Sequence, residues 1–162
     1  MIPADKDELR LVMRQWSTGV SVVSAQHQGV SHGMTVSSFT SVSIDPQTVT
    51  ISLMKNSRTH DLVIKAGTFG ITILSSDQQV ISEKFAGKST EIENRFDEHE
   101  TWTLVSGAPL LIGGLAYLDC KLIAVHDFGT NSLLIGEVIA AKVGNGGKPL
   151  LYFDQHYHKL QD

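Results

Sequence analysis

Short runs of apolar residues at a two-residue period recur along this chain, and they constrain its fold more than any other feature. Residues 48–53 alternate cleanly, with Val49, Ile51 and Leu53 on one face, as in a strand buried on one side. Strands are also predicted over residues 20–25, 33–44, 69–74, 115–125 and 132–143, and residues 149–153 close the fold. In 33–44 the period groups Met34, Val36, Val42 and Ile44 on one face and Thr35, Ser37, Phe39, Ser41 and Ser43 on the other. In 115–125 it points Ala116, Leu118, Cys120, Leu122 and Ala124 inward and Tyr117, Asp119 and Lys121 outward. Residues 26–29 read as a turn and 144–147 as a loop, and Asp45-Pro46 breaks a strand because proline lacks the ladder N–H.

Three helices interrupt the strands. Residues 5–16 carry Leu9, Val12, Met13 and Trp16 at helical spacing. Residues 61–66 follow a polar turn and are capped by Ser57 or Thr59. Residues 77–85 are predicted to bury Val80, Ile81 and Phe85, and the polar stretch 86–100 reads as a surface excursion. Seven or eight strands with inserted helices argue against a parallel βαβ array. The expected fold is mainly β (α+β): one domain over residues 1–162, an antiparallel barrel with peripheral helices.

Composition removes several functions. The 13 lysines and arginines lie scattered in a chain of net charge −4, with no basic stripe for a nucleic acid. The single cysteine, Cys120, excludes an intrachain disulfide and a multi-cysteine metal site. No apolar run approaches the roughly 18 residues that span a bilayer, and the charged segment 5–10 is unlike a signal peptide. A cytoplasmic protein is expected. No Gly-x-Gly-x-x-Gly follows a strand, so any dinucleotide binds without a Rossmann fingerprint.

Four places could carry chemistry. Residues 33–43 hold six hydroxyl side chains around Phe39, which suits either a wall for a flat, polar-edged ligand or a solvated strand. Arg58, among Asn56, Ser57 and Thr59 at a helix start, suits a phosphate or an ordinary polar turn. His126 continues the inward face of its strand beside the loop 127–131, where it could meet a ligand or be satisfied by backbone. His156 and His158 could share a metal on a strand, but no third ligand is evident.

In this order, the pieces resemble the short-chain flavin reductase family, which has an FMN-binding split-barrel fold and includes reductase components of two-component flavin-dependent monooxygenases. The resemblance rests on Ser17-Thr-Gly-Val-Ser-Val-Val-Ser24, Gly33-Met-Thr-Val-Ser-Ser-Phe-Thr-Ser-Val-Ser-Ile-Asp-Pro46, Asn56-Ser-Arg-Thr59, Leu134-Ile-Gly-Glu-Val138 and Pro149-Leu-Leu-Tyr152. It implies a homodimer with a flavin site near the subunit interface. It also implies an NAD(P)H:flavin oxidoreductase that reduces FMN or FAD by hydride transfer to flavin N5, with NADH or NADPH as donor, for a separate monooxygenase. By the same resemblance, Thr35, Val36, Ser37 and Ser38 approach the flavin ring and ribityl chain, and Ser52 and Leu53 lie beneath the ring. Ser57, Arg58 and Thr59 address the phosphate, Phe85 and Ala86 flank the cofactor, and Asn131 stands near the nicotinamide; His126, read from its own strand position, is the other candidate substrate-binding residue. No side chain is assigned as catalytic and no metal is implied.

Two departures stand out. Gln47 replaces a second proline. Gly129-Thr130-Asn131 stands where many members have Gly-Asp-His or Gly-Thr-His, and asparagine can bond a carboxamide but carries no charge near neutral pH. An alternative reading is therefore a flavin-binding electron carrier or storage protein without nicotinamide turnover. A split barrel binding another ligand, such as haem through His126, His156 and His158, is a third.

Overall fold

The computed structural model describes residues 5–87 and 95–161. The first helix, α1 (Lys6–Arg14), is capped by Asp5, which forms a capping box with Glu8. β1 (Thr18–Gly19), β2 (Ser21–His27), β3 (Val30–Val36), β4 (Thr40–Ile44) and β5 (Gln47–Met54) follow, then α2 (Arg58–Ala66), β6 (Thr68–Ile73) and α3 (Gln79–Phe85). Two short strands, β7 (Thr101–Trp102) and β8 (Leu110–Leu111), precede the long hairpin of β9 (Ala116–Phe128) and β10 (Asn131–Val143). The last strands are β11 (Leu150–Phe153) and β12 (His156–Lys159).

Seven strands form one antiparallel sheet in the order β3-β2-β6-β9-β10-β5-β4. Its two edges, β3 and β4, are consecutive in the chain and joined by residues 37–39 alone. That short link requires the sheet to curl until its edges approach, yet no ladder closes them among the described residues. A second sheet, β1-β11-β12, lies beside it. Inside the curl, Val23, Val49, Ile51, Leu53, Val63, Phe69, Ile71, Cys120 and Leu134 form the main core, and burial of this apolar surface is the main force holding the curl. The alternation expected of residues 48–53 is observed, because only one face of β5 meets this core.

Elsewhere the strand pattern needs correcting. The stretch 33–44 is two strands, because Ser38 leaves the ladder: its hydroxyl donates to Ser52 O and accepts from Ser52 N–H, each at 3.0 Å. The hydroxyl thereby stands in for a backbone ladder partner of Ser52. Val42 and Ile44 consequently lie on an exposed edge rather than sharing a buried face with Val36. In β9, Tyr117 and Asp119 are buried, not outward. Trp102 of β7 packs edge-on against Tyr117 at 4.9 Å, and Ser106 N–H donates to Asp119 Oδ2 at 2.7 Å, so this strand is covered on both faces at its start.

Two helices also differ from expectation. In α3, Ser82 and Phe85 are buried whereas Val80 is exposed, because the helix is tied to the sheets through Ser82. In α1 the apolar stripe Leu9, Val12 and Met13 forms as expected, but these residues remain exposed, as does Trp16, which lies beyond the end of the helix. Residues 88–94 of the excursion expected at 86–100 lie outside the described residues. At its far end Asp97, Glu98 and Glu100 are exposed as expected, but Phe96 is buried against Phe85 at 4.9 Å.

Candidate functional site

The residues expected to carry chemistry gather along β3 and the segment that follows it. At one end stands α2. Ser57 is its cap: in an extended conformation it accepts from His60 N–H at 3.2 Å. Thr59 is fully buried, and its hydroxyl instead meets His32 Nδ1 at 2.8 Å. A helix offers no internal acceptor to its first N–H groups, so the start of α2 is a positive helix end that carries the Arg58 side chain. A cavity of about 360 Å³ lies here, lined by His32, Met34, Thr35, Ser57, Arg58, Thr59, Phe85, Ala86 and Arg95.

This end is electropositive. Arg95 Nη1 donates to Phe85 O at 2.7 Å and to Gly33 O at 3.0 Å, which fixes a second guanidinium at the wall. Burial first, then the charges of Arg95 and Arg58, push His32 down to about 4. The imidazole is therefore neutral at pH 7, and the field that repels its proton attracts an anion.

Past Thr35 and Ala86 the groove continues into a cavity of about 150 Å³, which Val20, Val36, Ser37, Tyr152 and Tyr157 also line. The Thr35 hydroxyl donates to Ser82 O at 2.6 Å, and Ser82 Oγ lies 2.8 Å from the Tyr157 hydroxyl. These bonds lock α3 and β12 against β3. Ser37 and Ser38 fall outside both strand registers, so their backbone N–H groups have no ladder partner. Asn131, at the tip of the β9–β10 hairpin, donates from Nδ2 to Ser52 Oγ at 3.4 Å and accepts from Thr130 Oγ1 at 3.1 Å. Ser38, Ser52 and Asn131 thus form one hydrogen-bonded row.

The structure therefore brings together Thr35, Val36, Ser37, Ser57, Arg58, Thr59, Phe85 and Ala86 as groove lining, with Ser38, Ser52 and Asn131 adjoining it through bonds. Two side chains stand back from the surface. Leu53 belongs to the main core, and Phe85 is buried so that it backs the wall. His126 does not continue an inward face. Near its tip the β9–β10 hairpin projects beyond the core, which leaves His126 exposed opposite Leu133 and outside the lining of either cavity.

Six lining residues carry no site assignment in the sequence: Val20 and Met34, apolar members of their strands, and His32, Arg95, Tyr152 and Tyr157. His32 was within reach, since the period through Met34 and Val36 extends back to it once the strand begins at Val30. Tyr152 lay in the closing strand without a partner to give it meaning. Arg95 and Tyr157 carried no signal, because they reach the groove only through contacts distant in sequence.

A curled antiparallel sheet bearing an elongated groove, cationic at one end and hydroxyl- and aromatic-lined at the other, has the polarity that a nucleotide would require. Residues 13–161 match the family described as flavin reductase like domain. The chain is 34% identical over 163 residues to the NADH-dependent flavin reductase StyB of Pseudomonas fluorescens, covering 97% of this chain and 91% of that protein. It is also 34% identical, over 155 residues, to the reductase component of a 4-nitrophenol 4-monooxygenase/4-nitrocatechol 2-monooxygenase of Rhodococcus opacus, covering 93% and 79%. Among solved structures, the Streptomyces globisporus C-1027 NADH:FAD oxidoreductase SgcE6 in complex with NAD and FAD fragments matches with a TM-score of 0.89. The identity there is 30%, over 99% of this chain and 96% of that one. This chain belongs to the flavin reductase-like domain family.

Proposed function

We propose that the protein is an NADH-dependent flavin reductase that binds FMN or FAD along this groove and delivers the reduced flavin to a separate monooxygenase. The observation that carries the placement is the groove's polarity. A flavin nucleotide has an anionic phosphate at one end and a planar, polar-edged ring at the other. The donor set fits it: Arg58, Arg95 and the open helix end suit the phosphate, and the unladdered N–H groups of Ser37 and Ser38 suit the polar ring edge.

When bound, the flavin supplies the two-electron redox chemistry with NADH as donor. The chain's own residues bind and orient. Arg58 and the first turn of α2 hold the phosphate, and the wall formed by Thr35, Val36 and Ser37 sets the ring's position. Ser37 and Ser38 N–H groups stabilise negative charge developing along the ring edge. Asn131, held against Ser52, presents an amide to the nicotinamide carboxamide. Stacking two cofactors in register needs no acid–base pair from the chain.

Three finer features complete this reading. The curled sheet with its consecutive, unpaired edges is a split barrel. The molecule is a homodimer: the exposed apolar rows of α1 and of the outer hairpin, including Trp16, Val125 and Phe128, suit a second copy. Its setting is the cytoplasm, where NADH is supplied; among the described residues no helix is long and apolar enough to cross a membrane.

Anaerobic mixing of the protein with NADH or NADPH and with FMN or FAD tests the activity. Rapid bleaching of flavin absorbance with NADH is expected. Failure with every pair would remove the proposal, and tight flavin retention without NADH oxidation would replace it with an electron carrier.

A further inference from the structure

Beside the groove, four polar side chains from β9, β10, α2 and the turn after β5 form a chain that none of the roles above employs. Ser132, fully buried, follows Asn131 in β10. Its Oγ donates to Asp127 Oδ1 at 2.7 Å, directly across the β9–β10 hairpin. An ionised carboxylate only accepts, so the one serine proton is committed to Asp127. His60 Nε2 lies 2.9 Å from the same oxygen and must therefore be the donor. On the other side, Asp127 Oδ2 lies 3.5 Å from Lys55 Nζ, and Lys55 N–H donates to Thr130 O at 2.9 Å.

The hairpin tip carrying Asn131 is thus fastened at two points. Lys55, just past β5, holds it from one side. His60, in the first turn of α2, holds it from the other through Ser132. His60 is separated from Arg58 only by Thr59, so the turn assigned to the flavin phosphate also grips the tip assigned to the nicotinamide. A bond made by a fully buried hydroxyl loses little to competing water, and leaving its partner unmatched is costly.

We infer that His60 is a positioning residue for NADH: through Ser132 it sets the β9–β10 tip so that Asn131 meets the nicotinamide, coupling that subsite to the flavin-phosphate turn. The inference rests on the flavin reductase reading and concerns only the nicotinamide half of the site. Its test is the KM for NADH at saturating FMN, measured with the FMN dissociation constant for His60→Ala, His60→Gln, Ser132→Ala and the double variant His60→Ala/Ser132→Ala.

Loss of one hydrogen bond of this kind should raise the KM of His60→Ala by about five- to tenfold, with the FMN constant changed less than about twofold. Ser132→Ala should behave alike, and the double variant no worse than either single one, as for two ends of one interaction. His60→Gln, whose amide places a donor near the lost Nε2, should recover most of the wild-type KM. An unchanged KM overturns the inference, as do additive effects in the double variant. A parallel loss of FMN affinity also overturns it, since His60 would then merely hold α2 in place. Wild-type NADH oxidation, recorded alongside, reads the flavin reductase assignment independently of these outcomes.

Discussion

Arg58 and Arg95 charge the same end of the groove but stand differently in it. Arg95 is engaged by the carbonyls of Gly33 and Phe85, and Arg58 lines the same cavity from the first position of α2. Arg58→Ala is therefore expected to weaken FMN binding by about 1.5–3 kcal/mol, the scale of a charged hydrogen bond, in a fluorescence titration. Unchanged affinity would place the phosphate elsewhere. His32 gives a pH prediction. Its folded value of about 4 lies below the ordinary 6.5, so as pH falls the unfolded chain takes up this proton first. Stability then declines from about pH 6.5 towards 4 on this account. His32→Gln should flatten part of that decline in urea midpoints measured across the range, and an identical slope would contradict the assignment. The hydroxyls and Arg58 could be read in the sequence because their chemistry is local. Arg95 could not, because its meaning depends on carbonyls at Gly33 and Phe85 that only folding brings near it.

Elements were legible where one face meets the core and the other meets solvent. β5 shows its period plainly for that reason. β9 misled because Trp102 and the segment around Ser106 cover its second face, so that Tyr117 and Asp119 are buried beside Cys120. The break between β3 and β4 was hidden because Ser38 pairs with Ser52, fourteen residues away. Packing within the hairpin makes a further prediction. A Cβ placed on Gly136 of β10 would stand 2.5 Å from Phe69 Cζ and 3.1 Å from Cys120 Cβ, and the Phe69 ring is fully enclosed. Gly136→Ala should destabilise the fold by about 1–3 kcal/mol, the usual cost of overpacking, seen as a lower urea midpoint. An unchanged midpoint would show that the core yields more readily than its burial implies.

At the scale of the molecule, two surfaces remain to be matched with partners. The uncovered stripe of α1 and the apolar tip of the long hairpin are expected to meet a second copy, so sedimentation should give a dimer at micromolar concentration; a monomer would contradict this. The other surface is the groove, whose ends are set by elements far apart in sequence: the α2 turn, the 37–39 segment and the closing strand with Tyr152. A separate hollow, lined by Trp102, Tyr117 and Lys142 with the 144–146 loop, offers an aromatic alternative without the paired arginines. The structure of the protein with bound FMN distinguishes the two directly. The account predicts the phosphate within hydrogen-bonding distance of Arg58 and the α2 N–H groups, with the ring lying along Thr35–Ser38. Flavin density in the Trp102 hollow, or a phosphate turned away from Arg58, would contradict it.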